Sequence, residues 1–403
     1  MNDSWDFYSA GRLVFGTGSR YQLESHLSAI QKESRILLIT DPNLVQAGVV
    51  DQLLTGLGSG VKKGMRIFDG GEAEPSIEVA MQASAEAKSW NPTVIMGLGG
   101  GSNMDLAKIT AVLHTHGGQP SDYFGFNRVP GPTCPLIAIP TTSGTGSEVS
   151  HAAVLSDSET GVKVSTLSPY LRPSLALVDP ELTYPCPRKV TAESGMDALT
   201  HAIEAYTARK PSDRTSPEPN GSPYPGKNPL ADAMAEKAIR LIAHNLKTAT
   251  NQPLNQEARE NMALAATTAG LAFSNGAVAL VHALEYPMGM ALHCSHGQGN
   301  ALLLPHVMRY NLSTRMEAMA EIAAMLGVSS PAMSQEESAL EAIKSVETLN
   351  QTLGIPHRIR DLGGRRDQLE GWAQKAFDIK RLMDINPRQP TLKDLLQILD
   401  AAY

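Results

Sequence analysis

Four short apolar runs, rich in branched side chains, constrain the first half of this chain more than any other feature. They are Ile36-Leu37-Leu38-Ile39-Thr40, Met65-Arg66-Ile67-Phe68, Thr93-Val94-Ile95-Met96-Gly97-Leu98 and Leu136-Ile137-Ala138-Ile139. Turn residues or polar glycine-rich stretches close them, and a helix-like segment, Ser76 to Ser89, lies between the second and third. A strand apolar on both sides must be covered on both faces. Strands of this kind alternating with helices predict an α/β domain built on a parallel sheet.

The second half reads differently. Beyond Pro180, Pro185 and Pro187 the apolar positions recur almost only at helical spacing: Ser194 to Arg209, Leu230 to Thr248, Glu257 to Ser274, Met316 to Leu326, Glu337 to Leu353 and Thr391 to Ala402. The proline density and the loss of strand runs predict two domains, an α/β domain over 1–184 and an all-helical domain over 185–403. A stretch rich in Pro, Ser, Gly and Asn, 210–229, reads by composition as a solvated loop.

Composition narrows the function. The 403 residues carry 34 Lys and Arg against 41 Asp and Glu, a net charge of −7 with no long basic run, which argues against a nucleic-acid partner. The most apolar stretch, Ala277 to Cys294, is broken by His282, Glu285 and His293, so no membrane span is expected. Cys134, Cys186 and Cys294 make no paired motif, and the first six residues lack a leader pattern. A soluble, cytoplasmic protein is the expectation.

Two polar loops follow apolar runs. Gly97-Leu98-Gly99-Gly100-Gly101-Ser102 passes from a strand into a helix, where bare backbone N–H groups and the helix dipole suit a phosphate. Pro140-Thr141-Thr142-Ser143-Gly144-Thr145-Gly146-Ser147-Glu148 sits where α/β sheets bind ligands, at a strand's carboxyl end. Asp41 ends an earlier strand and could take the hydroxyls of an adenosine ribose, although Asp41-Pro42 by itself is ordinary turn chemistry. In the helical half, Asp197 and His201 share a helix face one turn apart, a spacing that can grip a divalent metal. His282 and His296, fourteen residues apart, are further candidates, while His293 and Cys294 read as structural.

Taken in order, these motifs resemble the iron-containing, group III alcohol dehydrogenase family. Gly99-Gly100-Gly101-Ser102 with Asp105 and Lys108 is similar to its phosphate loop, and Pro140 to Val149 to its threonine-glycine segment. Gly195 to Glu204, with His282, His296-Gly297 and a closing Asn386-Pro387-Arg388, match it in identity and spacing. The resemblance implies a dehydroquinate-synthase-like architecture, with an NAD-binding α/β domain, an all-α metal-binding domain and a cleft between them. It implies a divalent metal on Asp197, His201, His282 and His296, iron(II) first, with zinc, nickel or manganese open. It implies NAD contacts from Asp41, Gly99, Gly100, Gly101, Ser102, Thr141, Thr142, Thr145, Ser150 and Lys163. Hydride would pass between NAD(H) and a small alcohol or aldehyde, in a homodimer or higher homo-oligomer.

Two departures follow. Many relatives have a histidine four residues after the third ligand, where this chain has Tyr286, expected to shape the pocket and not to titrate. The 210–229 segment resembles the insertion of the hydroxyacid–oxoacid transhydrogenase branch. The alternatives are therefore a 4-hydroxy acid dehydrogenase or transhydrogenase, with a basic residue of that segment receiving a carboxylate, and a non-catalytic nucleotide-binding protein.

Overall fold

A computed structural model of the chain describes residues 5–31, 34–158, 161–213 and 224–403. It divides into two compact units. The first runs from Ser9 to Cys186 and the second from Pro187 onward. The division thus falls two residues later than the expected 184/185. Residues 5–8 belong with the helical unit instead of the α/β unit. The physical reason is local: the Asn275 side chain accepts from the backbone N–H of Tyr8 at 2.6 Å and donates to its carbonyl at 2.7 Å.

In the α/β unit, nine strands are β1 (Leu13–Phe15), β2 (Ile36–Ile39), β3 (Met65–Phe68), β4 (Val94–Gly99), β5 (Gly125–Phe126), β6 (Leu136–Pro140), β7 (Ala152–Asp157), β8 (Val162–Leu167) and β9 (Leu175–Val178). Six form a parallel sheet in the order β1-β9-β6-β4-β2-β3. Helices α1 (Leu23–Ile30), α2 (Pro42–Gln46), α3 (Val49–Leu54), α4 (Ser59–Lys63), α5 (Ile77–Trp90) and α6 (Gly101–His116) connect the strands. The two-residue period of a strand divides the core. Ile36, Leu38, Val94, Met96 and Leu98 face one buried cluster with Leu23, Val49 and Leu53, while Leu37, Ile39 and Ile95 face another with Val79, Ala83, Leu106 and Ala107. That is why the apolar runs are continuous.

β4 lies between β6 and β2, so the loops after these three adjacent strands share the carboxyl end of the sheet. The sequence did not disclose a second sheet, β5-β8-β7, in which β7 and β8 pair antiparallel. β5 is two residues long, β8 mixes polar and apolar residues, and the apolar start of β7, Ala152 to Leu155, runs into Ser156-Asp157.

The helical unit comprises α7 (Arg188–Thr207), α8 (Pro229–Asn251), α9 (Gln256–Asn275), α10 (Leu280–Leu292), α11 (His296–Met325), α12 (Gln335–Leu353), α13 (Leu369–Phe377), α14 (Lys380–Ile385) and α15 (Leu392–Ala402). α7 is its axis: from Thr191 to Thr207 nearly every residue is buried, and α8, α9 and α11 pack round it. At Gly195 an added Cβ would lie 2.2 Å from a Leu246 methyl, so the α7–α8 approach requires glycine. Periodicity found α11 only from Met316, because the helix kinks just before it at Arg315, whose φ of −137° and ψ of 33° are not helical. Pro305 has no N–H for the Ala301 carbonyl, and the buried Asn350 of α12 supplies one from Nδ2 at 2.6 Å. Among the described residues, no single helix is long and apolar enough to cross a membrane.

Candidate metal centre and nucleotide loops

Three helices deliver the predicted ligands to one point. Asp197 and His201 project from one face of α7, His282 from the first turn of α10 and His296 from the first residue of α11. One ligand atom from each lies within 4.8 Å of every other. The imidazoles of His201 and His282 stack with centroids 4.8 Å apart, and that of His296 meets His282 edge-on at 5.2 Å.

The donor set fits a cation. The Nδ2 of Asn300 lies 2.7 Å from Asp197 Oδ1, 3.2 Å from His282 Nε2 and 3.1 Å from His296 Nε2. An amide nitrogen has two protons for these three acceptors, so lone pairs outnumber donors. A divalent ion removes that deficit, and one carboxylate with three neutral imidazoles suits a first-row metal. Of the four ligands His296 is the most open, its side chain 28% exposed against 2% for Asp197 and for His282. The centre is therefore most open on the His296 side. Tyr286 lines that side, its ring centroid 6.0 Å from that of His296, and Phe273 stacks on His201 at 4.4 Å. Burial first, then Tyr224, Glu285 and Glu204, push the Tyr286 phenol above its ordinary range, with Arg381 opposing but not reversing the shift.

Behind the ligands stand carboxylates to which sequence reading gave no role. Glu204 Oε2 accepts from His282 Nδ1 at 2.6 Å, and Glu285 Oε2 from His296 Nδ1 at 2.5 Å. Glu193 accepts from Ser295, the residue that caps α11, at 2.7 Å. The signal was available: Glu204 and Glu285 each lie three residues after a ligand histidine, on the same helix face.

In the α/β unit, α6 opens at Gly100 with no side-chain cap and no acidic residue in its first turn, which leaves its N-terminus suited to a phosphate. A Cβ on Gly101 would lie 2.8 Å from the Thr145 methyl, so the loops after β4 and β6 meet closely. Gly100, Ser102, Thr142 and Thr145 are half-buried and line this end of the sheet, whereas Gly99 and Thr141 are buried beneath it. Asp41 is brought beside them. Its Oδ1 caps α2 through the N–H groups of Asn43 and Leu44, and its Oδ2 accepts from Asn103 Nδ2 of α6 at 2.7 Å. The turn chemistry and the placement beside the loop are therefore both present.

Ser150 and Lys163 have other attachments. Ser150 is buried and its hydroxyl accepts from Lys108 Nζ at 3.0 Å, so it serves the scaffold. Lys163 on β8 pairs with Glu74 at 3.0 Å. Residues 214–223, half of the 210–229 segment and with Arg214 among them, lie outside the described residues. Of its described basic residues and their neighbour Arg209, Arg209 bonds the carbonyls of Asp213 and Asp384, and Lys227 pairs with Asp232 at 2.8 Å. Both of these cations are engaged within the chain, whereas Lys210 is exposed.

Comparison with known proteins agrees with this geometry. Residues 10–180 match the family model for iron-containing alcohol dehydrogenase, and residues 224–403 the model for the C-terminal part of the Fe-containing alcohol dehydrogenase family. The long-chain-alcohol dehydrogenase 1 of Geobacillus thermodenitrificans (strain NG80-2) is 37% identical, with 98% of this chain and 97% of that one covered. The NAD-dependent methanol dehydrogenase of Bacillus methanolicus is 33% identical over 98% and 99%. A crystal structure of 1,3-propanediol oxidoreductase superposes with a TM-score of 0.90 at 33% identity, covering 99% of this chain and 100% of that one.

Proposed function

This chain belongs to the iron-containing alcohol dehydrogenase family, and we propose that Asp197, His201, His282 and His296 hold the single divalent ion on which its reaction depends. The protein is a metal-dependent oxidoreductase that moves hydride between NAD(H) and a small alcohol or aldehyde. The non-catalytic alternative is set aside. When bound, the metal supplies Lewis acidity to the substrate oxygen and the nicotinamide accepts or returns hydride.

The chain's own residues do the rest. The first turn of α6 takes the pyrophosphate, with Thr142 and Thr145 beside it. Asp41 meets the adenosine ribose and disfavours a 2′-phosphate. Phe273 and Tyr286 wall the centre with aromatic surface, which keeps water from the reacting carbon. Tyr286 stays a neutral phenol, so the proton leaves through other groups.

One observation carries this reading: four ligand atoms from three helices converge within 4.8 Å, with more lone pairs than donors. His282→Ala should lose metal and activity together while the far-ultraviolet circular dichroism is retained. Full turnover in a rigorously metal-free preparation would overturn it.

A further inference from the structure

The metal ligands are tied to one another by a chain of carboxylates that runs helix to helix. Glu204 lies three residues beyond His201 on α7 and reaches forward to α10. There it accepts from His282 Nδ1 at 2.6 Å and from the backbone N–H groups of Ala279 at 2.8 Å and Val281 at 2.7 Å. Glu285 lies three residues beyond His282 on α10 and reaches forward to α11, where it accepts from His296 Nδ1. Each of these helices thus carries, one turn past its own ligand histidine, the group that holds the next ligand.

An imidazole presents one lone pair to a metal only if its other nitrogen bears the proton. A carboxylate can only accept, so a bond from Nδ1 to Glu204 or Glu285 places the proton there and leaves Nε2 bare. Nε2 of both His282 and His296 is the atom turned toward Asp197 and Asn300. The fold gives up side-chain volume to keep Glu285 in place. Glu285 is fully buried, and a Cβ on Gly289 would lie 2.1 Å from its Oε1, one on Gly299 2.7 Å from its Cγ. A buried carboxylate without a partner is costly, and His296 is its partner.

We infer that Glu204 and Glu285 are positioning residues, which fix the tautomer and direction of His282 and His296 in advance and so set how tightly the centre holds its metal. This rests on the metal reading above. Gln is the informative replacement. At 204 the Gln amide oxygen takes the place of Oε1 and still accepts from Val281, while the amide N–H in the place of Oε2 turns toward His282 Nδ1, reverses the tautomer and deprives the Ala279 N–H of its acceptor.

The test is zinc and cobalt(II) affinity, measured by competition with a chromogenic chelator, for wild type, Glu204→Gln, Glu285→Gln and Gly299→Ala. The last touches no ligand: its Cβ would press on the Glu285 side chain at 2.7 Å and meet the flexible end of Met288 at 3.4 Å. Each variant should weaken metal binding by about 10- to 100-fold. The melting temperature of the metal-free protein should move far less for Glu285→Gln than for Glu204→Gln, which also loses the Ala279 bond, and NAD affinity should be unchanged. Nitrogen-15 shifts of the two imidazoles should show a protonated Nδ1 in wild type and a mixture in the Gln variants. Wild-type metal affinity and tautomer in both Gln variants would overturn the inference and leave the metal reading intact. Wild type that takes up neither metal would overturn both.

Discussion

Lys108 Nζ donates to the Ser147 hydroxyl at 2.7 Å, and neither side chain reaches solvent. The same ammonium reaches Ser150 and the Ala152 carbonyl, while Asp105, one turn earlier on α6, accepts from Ser147 at 2.6 Å and from the Val154 N–H at 2.9 Å. The helix that starts at the glycine-rich turn is thereby clamped to the end of the threonine-glycine loop. Burial lowers the Lys108 ammonium from 10.5 to about 8, with Asp105 and Glu148 only partly offsetting it. Between about pH 8 and 10.5 the unfolded chain keeps this proton and the folded chain does not, so the group's contribution to stability rises with pH there, at about 1.4 kcal/mol per unit of difference. Below pH 8 both states are charged and the contribution is flat. Burial raises Asp105, whose contribution therefore falls as pH climbs from 3.8 through its folded value. Lys108→Met should abolish the alkaline rise relative to wild type in urea unfolding series at pH 7 to 10. It should also raise the KM for NAD several-fold with little change in kcat. A parallel pH profile for the two proteins would contradict the clamp's titration.

Asp41 sets the cofactor preference in this reading. Its carboxylate is fixed by α2 and by Asn103 beside the α6 N-terminus, where it opposes a 2′-phosphate. NAD should be favoured over NADP, and Asp41→Gly should narrow the ratio of kcat/KM values by about tenfold or more, about 1.4 kcal/mol. The variant should also lose about 1 kcal/mol of stability, a few tenths from the α2 cap, where Gly is itself tolerated, and the rest from the bond to Asn103. A wild type that prefers NADP contradicts the assignment.

Tyr286 should matter by shape. Its phenol is buried against His282 and His296 and held above its ordinary range, so it is neutral wherever the enzyme works. Tyr286→Phe should change kcat by less than about threefold, under about 0.7 kcal/mol, and leave the pH profile in place. Collapse of turnover with full metal content would make it a proton-transfer residue.

The inserted segment should not select acidic substrates through Arg209 or Lys227. Lys227 is committed to Asp232, to the Tyr206 carbonyl at 2.7 Å and to the face of the Tyr206 ring, and Arg209 to carbonyls on both sides. Arg209→Ala and Lys227→Ala should each cost about 1 kcal/mol of stability and leave the specificity ratio for 1-butanol over 4-hydroxybutyrate unchanged. A fall in 4-hydroxybutyrate turnover alone in either variant would restore the 4-hydroxy acid reading.

The fold was legible where one interaction dominates locally. Continuous apolar runs announced β2, β4 and β6, since a strand covered on both faces has no polar side to show; β3, a half-buried edge strand with Arg66 inside it, was marked by the Asp69-Gly70-Gly71 turn that stops it. β1 went unread because three residues give too little pattern, whereas β9 is as apolar and as buried as β2 and went unread all the same. The first half of α11 was hidden by the kink at Arg315 and by Pro305, whose missing N–H is made good by Asn350, 45 residues away in sequence.

At the metal centre, the sequence alone determined which residue types were available: an Asp and a His one turn apart on α7, and two more histidines with glycine-permitted packing around them. Helix periodicity is enough for that. Only the tertiary structure decided that His282 and His296 meet the first pair, because the meeting depends on how α10 and α11 pack round α7. It also decided that Glu204, Glu285 and Asn300 belong to the centre and that Ser150 serves Lys108. A carboxylate's role is set by what it faces, and what it faces is fixed by packing between helices distant in the chain, which no local spacing encodes.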